Sequence, residues 1–283
     1  MTIEHITRRL LLKLTSLSAL LGWSNRAAKA ALVPNNKRRV SRWNKTNNRV
    51  WLGEQFWANP MEDWRVVDGA AECQTTGGDR NVHLVTHQLT RPEGSFSMSI
   101  HIKRAETNRT DGGAGFKIGI QSDINEFRSN CFSKKGTIAG IIGSQLTLGR
   151  KTVELALETD EYTLELTGRP TGGKYQLTLT ASSVVGQQLG TVSLIVAPAV
   201  VLGNIAIVNN YNLKTKPGRG HRYRFSQWTV DGNAFTISES NKFGPILWSM
   251  YSLSDSRGDD GHVMKISALT GPLGANDNQS VEL

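Results

Sequence analysis

The histidines are the first residues whose spacing could serve chemistry, because pairs of imidazoles often hold zinc. His83 and His87 stand four positions apart, the spacing that brings two zinc ligands together on a helix. They lie in an alternating, strand-like run, where the same spacing separates two side chains by about 13 Å. Asp260-Gly261-His262 matches the Asp-x-His motif with which many metallophosphoesterases bind a metal, but it lies in a turn rich in Gly and Asp. We therefore expect no metal site and no cofactor.

A pair of carboxylates is the second arrangement that could carry out catalysis. Glu158 and Asp160 stand two positions apart, so on a strand they share one face. Sandwich glycosidases carry the motif Glu-x-Asp-x-x-Glu, and retaining hydrolysis needs two carboxyl groups about 5 Å apart. Here Thr163 occupies the position of the third carboxylate. A turn between two strands is the simpler interpretation, and a sandwich glycosidase that uses Glu158 and Asp160 stays an alternative.

Nucleophiles are the third possibility. The sequence has no Gly-x-Ser-x-Gly motif and no glycine loop that could cradle a phosphate. Cys73 and Cys131 lie in strand-like surroundings with no histidine beside them in sequence. They are either buried thiols, the interpretation we favour, or the partners of one disulfide. No catalytic residue is assigned.

Aromatic and amide side chains could instead bind a ligand without transforming it. Sugar-binding sandwiches stack sugars on exposed rings beside Asn and Asp side chains. Trp57, Trp64, Trp228 and Trp248 could supply such rings, and the candidate ligand-binding residues are Trp57, Asn59 and Trp64. A tryptophan in a domain of this size is more often part of the core.

The elements that must position these residues are short strands. From Trp64 onward apolar and polar residues alternate in short runs that Gly, Asn and Asp interrupt, the pattern of half-buried strands. No later segment has a sustained period of 3.6 residues. The clearest runs cover residues 81–89, 95–102, 115–121, 162–166, 175–180, 204–208, 222–230, 246–253 and 263–269.

Some thirteen to fifteen strands without intervening helices predict the fold class. We expect an all-β protein, a large two-sheet antiparallel sandwich like the jelly rolls of the concanavalin and laminin-G kind. A pair of smaller sandwiches is the alternative.

The net charge of +9 over 283 residues is distributed unevenly. Residues 1–30 contribute +4, residues 31–53 contribute +6, and residues 54–283 contribute −1. A basic chain often binds nucleic acid, but the body of this one is neutral, so we expect no nucleic-acid partner. No apolar run reaches the roughly 20 residues that span a bilayer, so we also expect no stable membrane insertion.

The first 30 residues have the order of an export signal: a basic start, a short apolar stretch and a small-residue cleavage site. Arg8, Arg9 and Lys13 lie in the segment TRRLLLK, which resembles the twin-arginine signal. Ala28 and Ala30 form the cleavage site. The resemblance implies export through the twin-arginine pathway to a periplasmic or extracellular location.

These patterns divide the chain into four parts. We expect a twin-arginine signal peptide over residues 1–30 and a basic polar linker over 31–53. The β-sandwich domain follows over 54–253. Residues 254–283 then form a C-terminal strand and the start of a linker to a missing downstream domain.

Several segments of the body resemble the N-terminal region of bacterial alkaline phosphatase D (PhoD-like) proteins. The resemblance covers about residues 50–283 and is carried by FWANPMEDWRV at 56–66, GDRNVHL at 78–84, GAGFKIGI at 113–120, GNIAIV at 203–208, FGPILW at 243–248 and ALTGPL at 268–273.

This resemblance implies an exported phosphatase or phosphodiesterase whose sandwich precedes a calcineurin-like metal domain. The sequence stops at Leu283, before such a domain, so no metal ligand of that family has a counterpart here. We therefore expect a non-catalytic sandwich module that binds a glycan or a phosphatase catalytic domain. A truncated metallophosphatase is the alternative.

Overall fold

The structure is a computed structural model that describes residues 38–106, 112–156, 159–212, 214–255, 261–274, 277 and 280. The expected signal residues Arg8, Arg9, Lys13, Ala28 and Ala30 lie outside the described residues, as does Glu158.

Eighteen strands make up almost all of the regular structure in this part of the chain. They are β1 Arg39–Val40, β2 Phe56–Asn59, β3 Trp64–Val67, β4 Ala70–Cys73, β5 Arg80–Leu89, β6 Phe96–Glu106, β7 Gly113–Ile120, β8 Thr137–Ile142, β9 Gln145–Leu148, β10 Lys151–Glu154, β11 Glu161–Thr171, β12 Lys174–Ser183, β13 Gln188–Val196, β14 Gly203–Asn209, β15 Arg222–Gly232, β16 Phe235–Ile237, β17 Ile246–Asp255 and β18 His262–Thr270. One short helix, α1, covers Phe127–Asn130, and 3-10 turns cover Trp43–Lys45, Met61–Asp63, Pro198–Val200 and Glu239–Asn241.

The strands form two large antiparallel sheets. The first sheet has the order β13-β12-β11-β6-β15-β4-β3, with β1 also paired to β15. The second has the order β10-β9-β8-β7-β14-β5-β16, with β2 also paired to β5. This confirms the all-β, two-sheet antiparallel sandwich.

A single apolar core joins the two sheets. In β6 and β11 every second side chain is buried, as alternation predicts for a strand with one face on the core. Leu164 and Ile100 from the first sheet and Phe116 and Ile207 from the second belong to one cluster of buried residues. The alternative of two smaller sandwiches is therefore wrong.

The segment before the sandwich corrects one expectation. Residues 38–53 belong to the sandwich, although we expected a solvated linker over residues 31–53. Arg39 and Val40 pair with Val230 and Thr229 of β15. Trp43 is buried and its indole N–H donates to the carbonyl oxygen of Leu52, 3.0 Å away. A lone apolar ring in a basic segment has no periodicity, so its burial was not evident from pattern alone.

The C-terminal boundary expected at residue 253 is also corrected. β17 and β18 pair with each other over their full length as a third, two-stranded sheet. A boundary after Leu253 would cut β17 two residues before its end and separate it from β18. The hairpin leaves and rejoins the sandwich at a common base, where Gly271 N–H donates to the carbonyl oxygen of Pro245 at 2.6 Å.

Candidate functional site

The two sheets differ in what covers their outer faces. The segment of residues 121–136, which contains α1, lies against the outer face of the second sheet. It is held there by bonds from Asn204 to the carbonyl oxygen of Phe127 and from Asn59 to that of Cys131, at 2.8 and 3.1 Å. The outer face of the first sheet is partly exposed along β6 and β11. A ligand can therefore reach the first sheet directly.

A polar cleft of about 370 Å³ lies on this outer face. Its lining comes from four adjacent strands, β12, β11, β6 and β15, and from Arg38 just before β1. Four strands span about 14 Å at the spacing of a sheet. All eight lining side chains are polar: Arg38, Ser97, Ser99, Thr163, Glu165, Ser182, Thr229 and Asp231.

Strand register explains why these side chains converge. Ser99 lies opposite Glu165 on one side and opposite Thr229 on the other. Ser97 lies opposite Asp231, and Thr163 lies opposite Ser182. Because side chains directly opposite each other point to the same face, alternation on each strand brings them to one cleft.

Most of the hydrogen-bonding capacity in the cleft is unused. The Ser99 and Thr229 hydroxyls bond each other at 2.6 Å, and Asp231 accepts from the N–H of Gly232 at 2.7 Å. Glu165 is exposed, and its carboxylate has no partner within the described part of the chain. A carboxylate is an acceptor only, whereas a hydroxyl both donates and accepts. The cleft can therefore match a ligand that itself carries many hydroxyl groups.

One rim of the cleft carries a row of titratable groups. His101 Nδ1 lies 3.0 Å from the Ser226 hydroxyl, and its Nε2 lies 3.7 Å from a carboxylate oxygen of Glu161. The hydrogen bond from Lys103 lowers the pKa of Glu161. Lys103 and Glu161 therefore place a positive and a negative charge on this rim, beside the hydroxyls of the cleft.

The sequence-predicted binding residues do not meet at this cleft. Trp57 is half-buried, and its ring contacts Phe243 and Phe132 edge-on, with centroids 5.5 and 6.1 Å away. Asn59, two positions further on the same strand, binds the backbone of Cys131. Both residues help to attach the segment that covers the second sheet.

The prediction that Trp64 binds a ligand is wrong. It has no exposed surface and packs against Phe225 in the core, with ring centroids 5.7 Å apart. A ring without an exposed face cannot stack on a sugar, so Trp64 is not a binding residue.

The other sequence candidates occupy separate places. Asp160 precedes β11, and its carboxylate accepts from the Nε of Arg104 at 2.7 Å. The glycosidase alternative stays a prediction, since Glu158 is not described. Cys73 and Cys131 are free, buried thiols. Burial raises the pKa of each thiol to about 12.

The described ranges contain neither a metal-ligand cluster nor a bilayer-spanning helix. No group of three or more His, Cys, Asp and Glu side chains there is placed to hold a metal ion. Within the same ranges, no helix combines the length and apolarity needed to cross a bilayer.

His83 lies in a buried polar cluster beneath the covering segment. Its Nε2 is 3.0 Å from Asn81, and Asp79 nearby holds Lys134 at 2.8 Å and Lys117 at 3.5 Å. Burial lowers the pKa of His83 to about 3, and the charges of Lys117 and Lys134 add to the effect. The histidine is therefore neutral in the folded protein at neutral pH.

This shift predicts a pH dependence of stability. The unfolded pKa of histidine is about 6.5, above the folded value, so stability from neutral His83 is complete above pH 6.5. It falls as the pH drops towards 3, because the unfolded chain binds the proton more readily. We expect His83→Gln to lose less unfolding free energy than wild type between pH 6.5 and 4 in urea titrations.

The matched control is His262→Gln, which changes an exposed histidine on β18. Its pH profile should follow that of the wild type. If the His83→Gln profile is as steep as the wild-type profile, protonation of His83 does not contribute to acid unfolding.

The cleft residues were missed by sequence reasoning although a signal was present. The polar positions of the runs 95–102 and 162–166 carry serine and threonine hydroxyls, one imidazole and one carboxylate. Alternation showed that these side chains face solvent, but the order of strands in the sheet is needed to bring them together.

Comparisons with known proteins give only remote similarities. No family model matches the chain, and no curated protein matches it. A winged bean acidic lectin complexed with methyl-α-D-galactose is 11% identical, with a TM-score of 0.47 over 72% of this chain and 100% of that one. Lectin II from Ulex europaeus is 15% identical, with a TM-score of 0.43 over 63% and 92%. Such values do not establish a shared ligand.

Proposed function

We propose that this chain is a carbohydrate-binding sandwich module whose site is the polar cleft on the outer face of the first sheet. The observation that carries the proposal is the unpaired hydrogen-bonding capacity of the cleft. Glu165 and the hydroxyls of Ser97 and Thr163, which have no partner in the described part of the chain, lie on strands that are paired along both edges. Ligand sites owe their specificity to a few well-placed polar groups in a concave surface.

The chemistry of the lining favours a sugar among possible ligands. Glu165 can accept from two neighbouring hydroxyl groups, and Arg38 can donate to ring or hydroxyl oxygens. The lining side chains are all polar, so an apolar ligand would bury their hydroxyl, carboxylate and guanidinium groups without hydrogen bonds, at a cost in free energy. A saccharide bound through its hydroxyl edge exchanges hydrogen bonds with water for hydrogen bonds with the protein.

Export and family membership are part of the same proposal. The resemblance of residues 7–13 to a twin-arginine signal supports a module that works outside the cytoplasm. The segments similar to PhoD-like proteins support a phosphatase catalytic domain as a second kind of partner. Both rest on the sequence segments given above.

A titration tests the proposed site. Calorimetry with a panel of laminari-, cello-, chito- and mannooligosaccharides should give saturable binding to at least one of them. We expect Thr163→Val to weaken that binding about fivefold, since a hydrogen bond contributes about 1 kcal/mol. Valine keeps the shape and strand preference of threonine, so the fold should be unchanged.

Thr178→Val is the matched control. Thr178 lies on β12 of the same sheet, bonded to Ser193 at 2.8 Å, and does not line the cleft. Its affinity should equal that of the wild type. An equal loss in both variants, or no loss in either, would contradict the assignment of the cleft.

A further inference from the structure

The lining of the polar cleft follows an oblique line across the first sheet. Residues that lie opposite one another form rows across β12, β11, β6 and β15, and three such rows pass through Thr163, Glu165 and Thr167 of β11. From β12 to β15 the lining shifts from the first row to the third: Ser182, then Thr163 and Glu165, then Ser99 and Ser97, then Thr229 and Asp231. The cleft is therefore elongated rather than round.

The ends of this line are too far apart for a short ligand. Ser182 in the first row and Ser97 in the third are separated by two strand spacings, about 10 Å, and by four residues along the strands, about 14 Å. The two residues therefore lie about 17 Å apart, and Asp231 lies one strand further. A disaccharide that contacts one end of the line leaves the other end in water.

Hydroxyl groups of β12 that lie beside the line are already paired. Thr178 bonds to Ser193 at 2.8 Å, and Thr180 bonds to Thr191 at 3.2 Å. On the line, four side chains have no hydrogen-bond partner in the described part of the chain: Ser182, Thr163, Glu165 and Ser97. The groups that are open to a ligand therefore follow the line itself.

A linear chain of sugars fits this arrangement. The unpaired groups lie on three adjacent strands, which are about 4.8 Å apart. Successive rings of a linear oligosaccharide carry the same hydroxyl groups, so each ring offers donors and acceptors to the next strand. A hydroxyl both donates and accepts, so the serine and threonine side chains can bind either kind of partner.

We infer that the cleft binds a linear oligosaccharide of about four residues, which lies obliquely across β12, β11, β6 and β15. The inference rests on the proposed function and adds the size and the direction of the ligand. Glu165 lies beneath the middle of the bound chain, with Ser182 towards one end and Ser97 and Asp231 towards the other. A monosaccharide or a disaccharide occupies only part of the site.

Calorimetric titration with oligosaccharides of increasing length tests the expected size. The compounds are the two- to six-residue members of the series in the panel that binds the wild type. We expect the affinity to rise about tenfold or more from the disaccharide to the tetrasaccharide, because each added residue reaches polar groups that the disaccharide leaves unpaired. The affinity should then change less than about twofold from the pentasaccharide to the hexasaccharide, because further residues lie beyond the cleft.

Ser182→Ala and Ser97→Ala test the positions of the two ends. Each removes a hydroxyl that has no partner among the described residues, so the free energy of unfolding should stay unchanged. We expect each variant to weaken tetrasaccharide binding about fivefold, the effect of one hydrogen bond. A disaccharide should lose affinity in at most one of the two variants, since it cannot reach both ends.

Ser193→Ala is the matched control, because Ser193 is exposed on β13 of the same sheet and is bonded to Thr178 beside the cleft. It should bind every oligosaccharide as tightly as the wild type does. A disaccharide that binds as tightly as the tetrasaccharide would overturn the inference, and so would a tetrasaccharide that loses affinity in only one of the two end variants or in neither. In those cases a loss in Thr163→Val would still support the cleft as a sugar site. Binding at no length would overturn the proposed function itself, and this inference with it.

Discussion

Replacing Glu72 by Ala should lower the free energy of unfolding by about 3 kcal/mol, the largest stability effect we expect. Glu72 is completely buried on β4 and accepts from three arginines. The Nη2 atoms of Arg65 and Arg222 lie 2.6 and 2.9 Å from one carboxylate oxygen, and Arg224 binds the other. Burial alone would raise the pKa of Glu72, but the hydrogen bonds from Arg65 and Arg224 hold it below its usual value.

The physical reason is the charge that would be left behind. Alanine removes the carboxylate that lies between three guanidinium groups at one point of the sheet. Each arginine keeps 28–40% of its side chain in water, which places the cost at the low end of the range for buried ion pairs, about 3–5 kcal/mol. Arg222 and Arg224 also keep outer partners in Glu106 and Asp68.

Urea unfolding at pH 7 measures this effect. Glu62→Ala is the control, since Glu62 is exposed just before β3, and its unfolding free energy should stay within about 0.5 kcal/mol of wild type. The unfolding free energy of Glu72→Gln should lie between those of Glu72→Ala and Glu62→Ala, because the amide keeps the shape of the carboxylate but not its charge. A Glu72→Ala loss below 1 kcal/mol would show that water replaces the carboxylate without cost.

Replacing Glu165 by Ala should give the largest functional effect, a loss of glycan affinity of about 10- to 100-fold. A hydrogen bond to a charged group contributes about 1.5–3 kcal/mol, and Glu165 is the acceptor at the centre of the cleft. Its carboxylate has no protein partner among the described residues, so its removal should leave the free energy of unfolding unchanged. Calorimetric titration with the tightest oligosaccharide of the panel measures the affinity.

Glu93→Ala is the matched variant. Glu93 is exposed in the turn between β5 and β6 and does not line the cleft. Its affinity should equal the wild-type value. An unchanged affinity in Glu165→Ala would mean that the carboxylate does not touch the ligand.

The sequence predicted the strands well because alternation is a local property. The run expected at 222–230 is β15 at Arg222–Gly232, and the run expected at 204–208 is β14 at Gly203–Asn209. The nine expected runs cover nine of the eighteen strands, and β1 is among those without a run, because two residues carry no period and pair with a strand about 190 positions later. Tertiary pairing alone makes that segment part of the sandwich.

The candidate site was harder to predict for the same physical reason. Ser99, Glu165 and Thr229 are distant in sequence, and only the order β11-β6-β15 brings them together. Trp64 was ambiguous because a tryptophan can stack on a ligand or fill a core, and the burial that decides between them depends on the whole fold. The sequence shows which polar side chains face solvent, but it does not show that they meet at one cleft.

Chemical-shift mapping tests the central claim most directly. Amide spectra of the ¹⁵N-labelled chain are recorded during titration with the oligosaccharide that binds most tightly. We expect the largest shifts on β6, β11 and β15, at Ser97, Ser99, Thr163, Glu165 and Thr229. Shifts centred instead on Trp57 and its neighbours Phe132 and Phe243 would contradict the assignment of the cleft as the binding site.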